Sequence, residues 1–249
     1  TEAGGRKSAF PLNNKSVQES YRQAAARHGI ELHSLNLGAL LAEGTLNYSP
    51  ASAEGRQAVN SLKMGIEACE KLNIKTVVIT VDTSNEEQLK NSAAHLRLAA
   101  KMAEETGIEI AVESAMPIGE ICKLLEAACA FDDKSNIKIC MDILNPLRFG
   151  TGDPHEQIKK FGTRLISHFH LKDSKKELFR RGERGCVLLG TGDGEYEKSV
   201  NLINGAGFEG WLITENYYHL PPMNIGETDF TMLAAKDLLT MKRSFGQSI

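Results

Sequence analysis

The feature that most constrains the fold is a regular alternation of strand-like and helix-like segments along nearly the whole chain. Short runs rich in valine and isoleucine, at 75–81, 108–113 and 137–142, are separated by longer amphipathic runs such as 86–107. Short β-branched runs are typical of parallel strands buried on both faces, and the intervening helices predict crossovers. The pattern therefore indicates repeated βαβ units, in either an open doubly wound sheet or a closed (β/α)₈ barrel.

The strand count and one missing motif favour the barrel. No GxGxxG sequence follows the first predicted strand, which argues against a dinucleotide-binding sheet. Six strands are predicted, whereas a barrel needs eight, and residues 1–16 are loop-like. We therefore predict a single α/β domain over 1–249, a (β/α)₈ TIM barrel whose first one or two βα units are missing from this chain. The strands are predicted at 30–37, 75–81, 108–113, 137–142, 164–171 and 208–215, and the helices at 17–29, 52–72, 86–107, 117–130, 154–161, 195–206 and 227–245.

The composition argues against several classes of partner. The formal net charge is −3 with 24% charged residues, so no basic surface for nucleic acid or anionic membrane is indicated. No apolar run is long enough for a transmembrane helix. The five cysteines form no CxxC pair, which is typical of reduced thiols in a cytoplasmic protein. We expect a cytoplasmic protein without nucleic acid or membrane partners.

Acidic or imidazole side chains end four successive predicted strands. Glu113, Asp142 and Glu215 each close a strand, and the strand between the last two carries His168 and His170. The carboxyl ends of parallel barrel strands share one rim, so these side chains are expected to converge. Crowded carboxylates repel one another, and a cation relieves that cost. The residue types suit a divalent ion of the Mn²⁺, Mg²⁺, Co²⁺ or Zn²⁺ kind.

Five sequence motifs occur in the order of a known superfamily. They are AVES at 111–114, MDILN at 141–145, HFHLKD at 168–173, LGTGDGEY at 189–196 and GFEGWLITEN at 207–216. With this order and spacing, residues 17–245 resemble the xylose-isomerase-like barrels of sugar and sugar-phosphate isomerases and epimerases. The resemblance also implies that the first two barrel strands are absent from the chain.

The resemblance implies a ligand set and a mechanism. Glu113, Asp142, His170 and Glu215 would bind the metal, and His168, one layer deeper, would pack against or orient a neighbour. Glu113 and Glu215 would act as acid and base, one removing a proton next to the carbonyl of a ketose or sugar phosphate and the other returning it. The implied reaction is isomerisation or epimerisation through an enediolate held by the metal.

Four further residues are candidate substrate contacts. Asn145 matches a position where the family has His or Asn, although an Asn in an ordinary turn explains it as well. Lys172 lies two residues after His170 on the rim side, and His33 ends the first predicted strand with Asn36. Basic residues predicted around the barrel mouth could bind a phosphate, namely Arg148, Lys175, Lys176, Arg180 and Arg181.

Two neighbouring features receive structural interpretations. The GTGDGE segment at 190–195 resembles a phosphate loop, but a tight turn capping the next helix is favoured. Asp173 is interpreted as a loop cap, and Trp211 as packing in the core or barrel wall.

Other functions remain open at this stage. A metal-dependent dehydratase of a keto-inositol or dehydroshikimate type substrate would use the same barrel and metal. An endonuclease for abasic DNA, resembling endonuclease IV, would need more His ligands than seven histidines readily supply, and a basic surface. A binding protein without activity would not need the complete ligand set. A homo-oligomer is possible by analogy with the family.

Overall fold

The computed structural model describes residues 11–132, 134–181, 185–226 and 229–246, and only the backbone of residue 180. Of the predicted loop-like start, residues 1–10 lie outside the described residues, and a 3₁₀ turn follows at Pro11–Asn13. The chain divides into two compact units, one ending at Ile139 and one beginning at Cys140. This boundary falls inside one strand, Ile137–Asp142, and the single domain over 1–249 stays a prediction.

The first unit is built from βα repeats. Its elements are α1 (Lys15–His28), β1 (Ser34–Asn36), α2 (Ala39–Glu43), a 3₁₀ turn (Thr45–Asn47), α3 (Ala53–Leu72), β2 (Thr76–Thr80), α4 (Glu86–Ala103), β3 (Glu109–Glu113), α5 (Ile118–Ala127) and the start of β4 (Ile137–Asp142). The strands are parallel and adjacent in chain order, with Leu35 opposite Val77 and Ile110 opposite Ile137.

Local sequence signals explain where these elements begin and end. The side chain of Ser52 accepts a hydrogen bond from the Gly55 N–H and caps the start of α3, and Asn73 ends it in the left-handed region. Val77 and Ile79 of β2 are fully buried, as expected for a strand covered on both faces.

The second unit continues the same alternation. It contains the end of β4, α6 (Asn145–Phe149), α7 (Pro154–Leu165), β5 (Ile166–Leu171), α8 (Lys176–Arg180), α9 (Tyr196–Gly205), β6 (Trp211–Thr214) and α10 (Phe230–Ser244). Strand β5 is parallel to β6, with His170 opposite Ile213, and the Ile143 N–H just beyond β4 donates to the His170 carbonyl at 3.2 Å.

This succession is the TIM-barrel-like α/β fold that the sequence predicts, with six parallel strands, fewer than eight, among the described residues. Every predicted strand and helix is present, although the predicted start of α10 at 227–228 lies outside the described residues. None of the described helices is long and apolar enough to cross a membrane.

Two expectations about strands are wrong. The strand predicted at 30–37 is only Ser34–Asn36, because its ladder to β2 begins at Ser34, opposite Thr76, the first residue of β2. Packing of Trp211 in the core, one of the two interpretations given for it, is wrong, since the residue is 45% exposed at the start of β6. Strand β6 pairs only with β5 within the described range, which leaves its residues at most partly covered.

All five cysteines are free thiols, and they differ widely in exposure. Cys69 is fully buried in α3, and burial raises its pKa to about 12, whereas Cys129 is exposed. The thiolate is the nucleophile, and a pKa of about 12 leaves only about 10⁻⁴ of the Cys69 thiol ionised at pH 8. We expect iodoacetamide to label Cys129 at least ~10³ times faster than Cys69, as measured by peptide mass spectrometry. Comparable labelling of the native protein would contradict this burial, and Cys129→Ser should remove the fast phase.

Candidate metal centre

Three of the four predicted ligands come together in the second unit. Asp142 is the last residue of β4, His170 lies in β5, and Glu215 directly follows β6. One ligand atom from each lies within 4.8 Å of the others. The His170 Nδ1 atom is 3.3 Å from the Glu215 Oε2 atom. The carboxyl ends of adjacent parallel strands thus bring two carboxylates and an imidazole to one place.

The fourth predicted ligand, Glu113, lies in the first unit. It ends β3 and is buried, with 6% of its surface exposed. Its Oε2 atom accepts a hydrogen bond from the Thr80 hydroxyl at 3.3 Å. Thr80 is the β2 residue directly opposite Glu113, so the ladder register fixes this contact.

The orientation of Asp142 is fixed by the turn that follows it. Its Oδ1 atom accepts hydrogen bonds from the N–H groups of Leu144 at 2.8 Å and Asn145 at 2.7 Å. Two backbone donors hold this oxygen, so the carboxylate has one remaining oxygen, Oδ2, to offer to a cation. Asn145, a predicted substrate contact, therefore positions Asp142 through its backbone as the first residue of α6.

Lys172 places an ammonium group directly between two of these carboxylates. Its Nζ atom lies 2.8 Å from Asp142 Oδ2 and 2.5 Å from Glu215 Oε2, and the side chain is 2% exposed. The same Nζ is 5.7 Å from the centre of the Tyr217 ring. Burial opposes the charge on Glu215, but the hydrogen bond from His170 and the charge of Lys172 hold its pKa well below the usual range. Glu215 is therefore ionised at neutral pH.

A second layer of side chains lies below His170, as predicted for His168. His168 is fully buried, its Nδ1 atom is 2.9 Å from the Ser167 hydroxyl, and its ring centroid is 5.2 Å from that of His170. Cys140 joins the two histidines, with one possible ligand atom of each within 4.8 Å of the others. Period-two alternation explains this layer, because Cys140 and His168 each precede a centre residue by two.

Two other predicted substrate contacts do not lie exposed at the rim. Arg148 is buried, and His33 lies at the other end of its strand. Arg148 is 9% exposed, and its Nη2 atom lies 3.3 Å from the Gly185 carbonyl and 3.4 Å from the Cys186 sulfur. His33 precedes β1 instead of ending it, so it lies at the amino end of the strand, opposite to the rim. The expectation that His33 ends its strand is wrong. The Arg180 side chain, also named as a phosphate contact, lies outside the described residues.

The glycine-rich segment at 190–194 is a turn closed around Asp173. The two Asp173 oxygens accept backbone N–H bonds at 2.8–3.1 Å, Oδ2 from Gly190 and Gly192, and Oδ1 from Ser174 and Gly194. A Cβ atom at Gly192 would lie 2.1 Å from Asp173 Oδ1, so only glycine fits this approach. The N–H groups that would hold a phosphate are thus already occupied by a carboxylate of the chain. The turn interpretation is supported, although the next helix receives no side-chain cap.

Residues 2–236 match a protein family described as xylose isomerase-like TIM barrel. The chain belongs to this family. A 2-epi-5-epi-valiolone 7-phosphate 2-epimerase from an Actinoplanes species is 26% identical over 188 residues. The match covers 74% of this chain and 64% of that relative, so the chain spans less than two thirds of its length.

Solved structures share the family fold. An L-ribulose 3-epimerase aligns with a TM-score of 0.72 and 17% identity over 98% of this chain and 82% of its own. The IOLI protein with a binding zinc atom aligns with a TM-score of 0.72 and 18% identity over 94% of this chain and 83% of its own. At these identities the likeness shows the fold.

A buried polar network beside the centre, which joins Asn216, Asp237 and Tyr218, was not predicted from the sequence. Asn216, next to Glu215, accepts the Asp173 N–H at 3.2 Å and donates to Asp237 at 2.6 Å. Asp237 is fully buried in α10 and also accepts from the Tyr218 hydroxyl at 3.0 Å, and burial raises its pKa. One signal was available, because Asp237 lies four residues after the buried Leu233 and so shares its helix face.

Proposed function

We propose that the chain is a sugar or sugar-phosphate epimerase or isomerase that uses a divalent metal ion held by Glu113, Asp142, His170 and Glu215. The observation that carries the proposal is the convergence of Asp142, His170 and Glu215, whose candidate ligand atoms lie within 4.8 Å of one another at the carboxyl ends of their strands. Family membership supports it, as does the similarity to an epimerase of a phosphorylated substrate.

The donor set fits a hard or borderline divalent ion. Carboxylate oxygens and one imidazole nitrogen suit Mn²⁺, Mg²⁺, Co²⁺ and Zn²⁺, whereas a site for a soft ion would be richer in thiolate. Asp142 and His170 are buried, so their side chains need a partner charge or hydrogen bonds to offset lost hydration. Glu113 completes the set in this proposal, in keeping with the family motif it matches.

The residues divide the reaction between them. A bound divalent ion supplies Lewis acidity, which stabilises negative charge on a substrate oxygen. Glu113 and Glu215 are the proposed acid and base, one taking the proton from the carbon beside the carbonyl and the other returning a proton. Return to the opposite face of the same carbon gives an epimer, and return to the adjacent carbon gives an isomer. Asp142 and His170 would hold the ion and have no proton-transfer role in this proposal.

The proposal is tested by metal content and by proton exchange. Protein stripped of metal with a chelator is expected to gain at least ~10²-fold in activity when Mn²⁺ or Co²⁺ is added. The proposed acid and base are also metal ligands, and general acid–base catalysis contributes about 10²–10⁴ in rate. In D₂O, the loaded protein should introduce deuterium at the carbon beside the carbonyl of its substrate. Mass spectrometry of a panel of ketoses and ketose phosphates detects both the substrate and its class.

Three outcomes are informative. Deuterium gain without loss of water supports an epimerase or isomerase. A product lighter by one water would instead identify a dehydratase. Failure of the chain to bind any divalent ion under these conditions would contradict the metal centre itself.

A further inference from the structure

We infer that Lys172 is the resident counter-ion of this centre, and that a divalent ion must displace its ammonium group from the carboxylates of Asp142 and Glu215. This inference rests on the proposed metal centre and adds a role for a residue outside the ligand set. Lys172 would weaken the binding of the metal and stabilise the protein without metal. It is a positioning residue that governs when the carboxylates are free to bind an ion.

Asp142 can offer only one oxygen to a metal, and Lys172 holds that oxygen. The Oδ1 atom is engaged by the N–H groups of Leu144 and Asn145. The Oδ2 atom is 2.8 Å from Lys172 Nζ, with both side chains 2% exposed. A divalent ion that binds Asp142 through one oxygen therefore meets the ammonium group at the same atom.

Glu215 presents the same conflict. Its Oε2 atom is 2.5 Å from Lys172 Nζ and 3.3 Å from the Nδ1 atom of the proposed ligand His170. The oxygen that faces the histidine is thus the oxygen that the ammonium binds. A metal held by His170 and Glu215 would lie beside Lys172, and two cations at the same oxygens repel each other, all the more because the Lys172 side chain is buried.

The Lys172 ammonium group has an alternative contact, the Tyr217 ring, when a metal displaces it from the carboxylates. Its charge lies on a flexible four-carbon stem, so the ammonium group moves without any change in the backbone. The Tyr217 ring, 5.7 Å away, already attracts it through the ring face. Until a metal enters, the ammonium supplies a counter-charge to the buried Asp142 carboxylate and to the partly exposed Glu215 carboxylate.

The test compares Lys172→Met with the wild type and with Lys198→Met. Lys198 is an exposed lysine of the same unit that pairs with the exposed Glu195, so its substitution removes the same charge from a solvated ion pair. Dissociation constants for Mn²⁺ and Zn²⁺ are measured by competition with a chelating dye. Melting temperatures are measured with and without metal.

We expect Lys172→Met to bind both ions at least ~10-fold more tightly than the wild type, and Lys198→Met to bind them as the wild type does. Its metal-free melting temperature should fall, and its rise on adding metal should exceed that of the wild type. If Lys172→Met requires metal to fold, the metal concentration that restores its native circular dichroism is compared with the wild-type dissociation constant. Lys172→Gln, which keeps a hydrogen-bond donor, should give an intermediate affinity.

The outcomes separate this inference from the proposed function. Wild-type metal binding with equal or weaker binding by Lys172→Met would overturn the counter-ion role and leave the metal centre standing. Binding by Lys172→Met alone would support the counter-ion role in its strongest form. Binding by none of the variants would contradict both the inference and the metal centre.

Discussion

Glu215→Gln is expected to lower the rate of deuterium exchange into the substrate by at least ~10³-fold. The substitution removes the carboxylate that is proposed to exchange a proton with the substrate, and general acid–base groups contribute about 10²–10⁴ in rate. It also removes one anionic ligand, so affinity for Mn²⁺ should fall. The amide is similar in size and lies at a partly exposed position, with 31% of the side chain accessible, so the fold should persist.

Glu209→Gln provides a matched control for this result. Glu209 is an exposed glutamate just before β6, and its substitution makes the same chemical change six residues earlier in the chain. Its exchange rate and metal affinity should equal those of the wild type. An exchange rate of Glu215→Gln within ~10-fold of the wild type would remove Glu215 from the catalytic role. Loss of metal binding together with loss of exchange would identify Glu215 as a ligand as well.

The sequence predicts the centre well where geometry follows from strand periodicity. Asp142 and His170 lie on neighbouring strands, and alternation along a strand separates His170 from His168 by one layer. These relations depend on the backbone alone, and parallel strands bring their carboxyl ends to the same edge. Arg148 shows the opposite case, because its long side chain bonds to a segment 37 residues away that periodicity does not locate.

Lys172 shows the limit of the same reasoning. Alternation puts it on the rim side, which suggested a substrate contact, and the structure does place it on that side. Its ammonium group nevertheless points at Asp142 and Glu215, because the buried carboxylate of Asp142 and the partly exposed carboxylate of Glu215 together attract it more strongly than solvent does. The direction of a flexible charged side chain depends on partners from other strands, so the local pattern cannot determine it.

The sequence also did not predict the shortest helices. Helices α2, α6 and α8 have five residues each, too few to display an amphipathic period. Helix α6 matters for the centre, because the N–H of its first residue, Asn145, holds Asp142. The motif indicated Asn145 for its side chain, whereas the structure also shows a contribution from its backbone.

Asp173→Asn is expected to lower the stability of the second unit by about 3–5 kcal/mol, the cost of leaving buried donors without partners. Both carboxylate oxygens accept two backbone N–H groups, and Asp173 is 1% exposed. In either orientation, the NH₂ group of an asparagine would face one of these pairs of N–H donors and could not accept their hydrogen bonds. A protein of this size should then melt at least ~6 °C lower, as measured by circular dichroism.

Asp193→Asn distinguishes this effect from a general loss of charge in the same turn. Asp193 is exposed and accepts one backbone bond, from Lys176 at 2.9 Å, so its substitution should shift the melting temperature by no more than ~2 °C. Hydrogen exchange gives a local reading, since the Gly192 and Gly194 amides should lose protection in Asp173→Asn only. Equal melting temperatures for the two variants would contradict the role of Asp173.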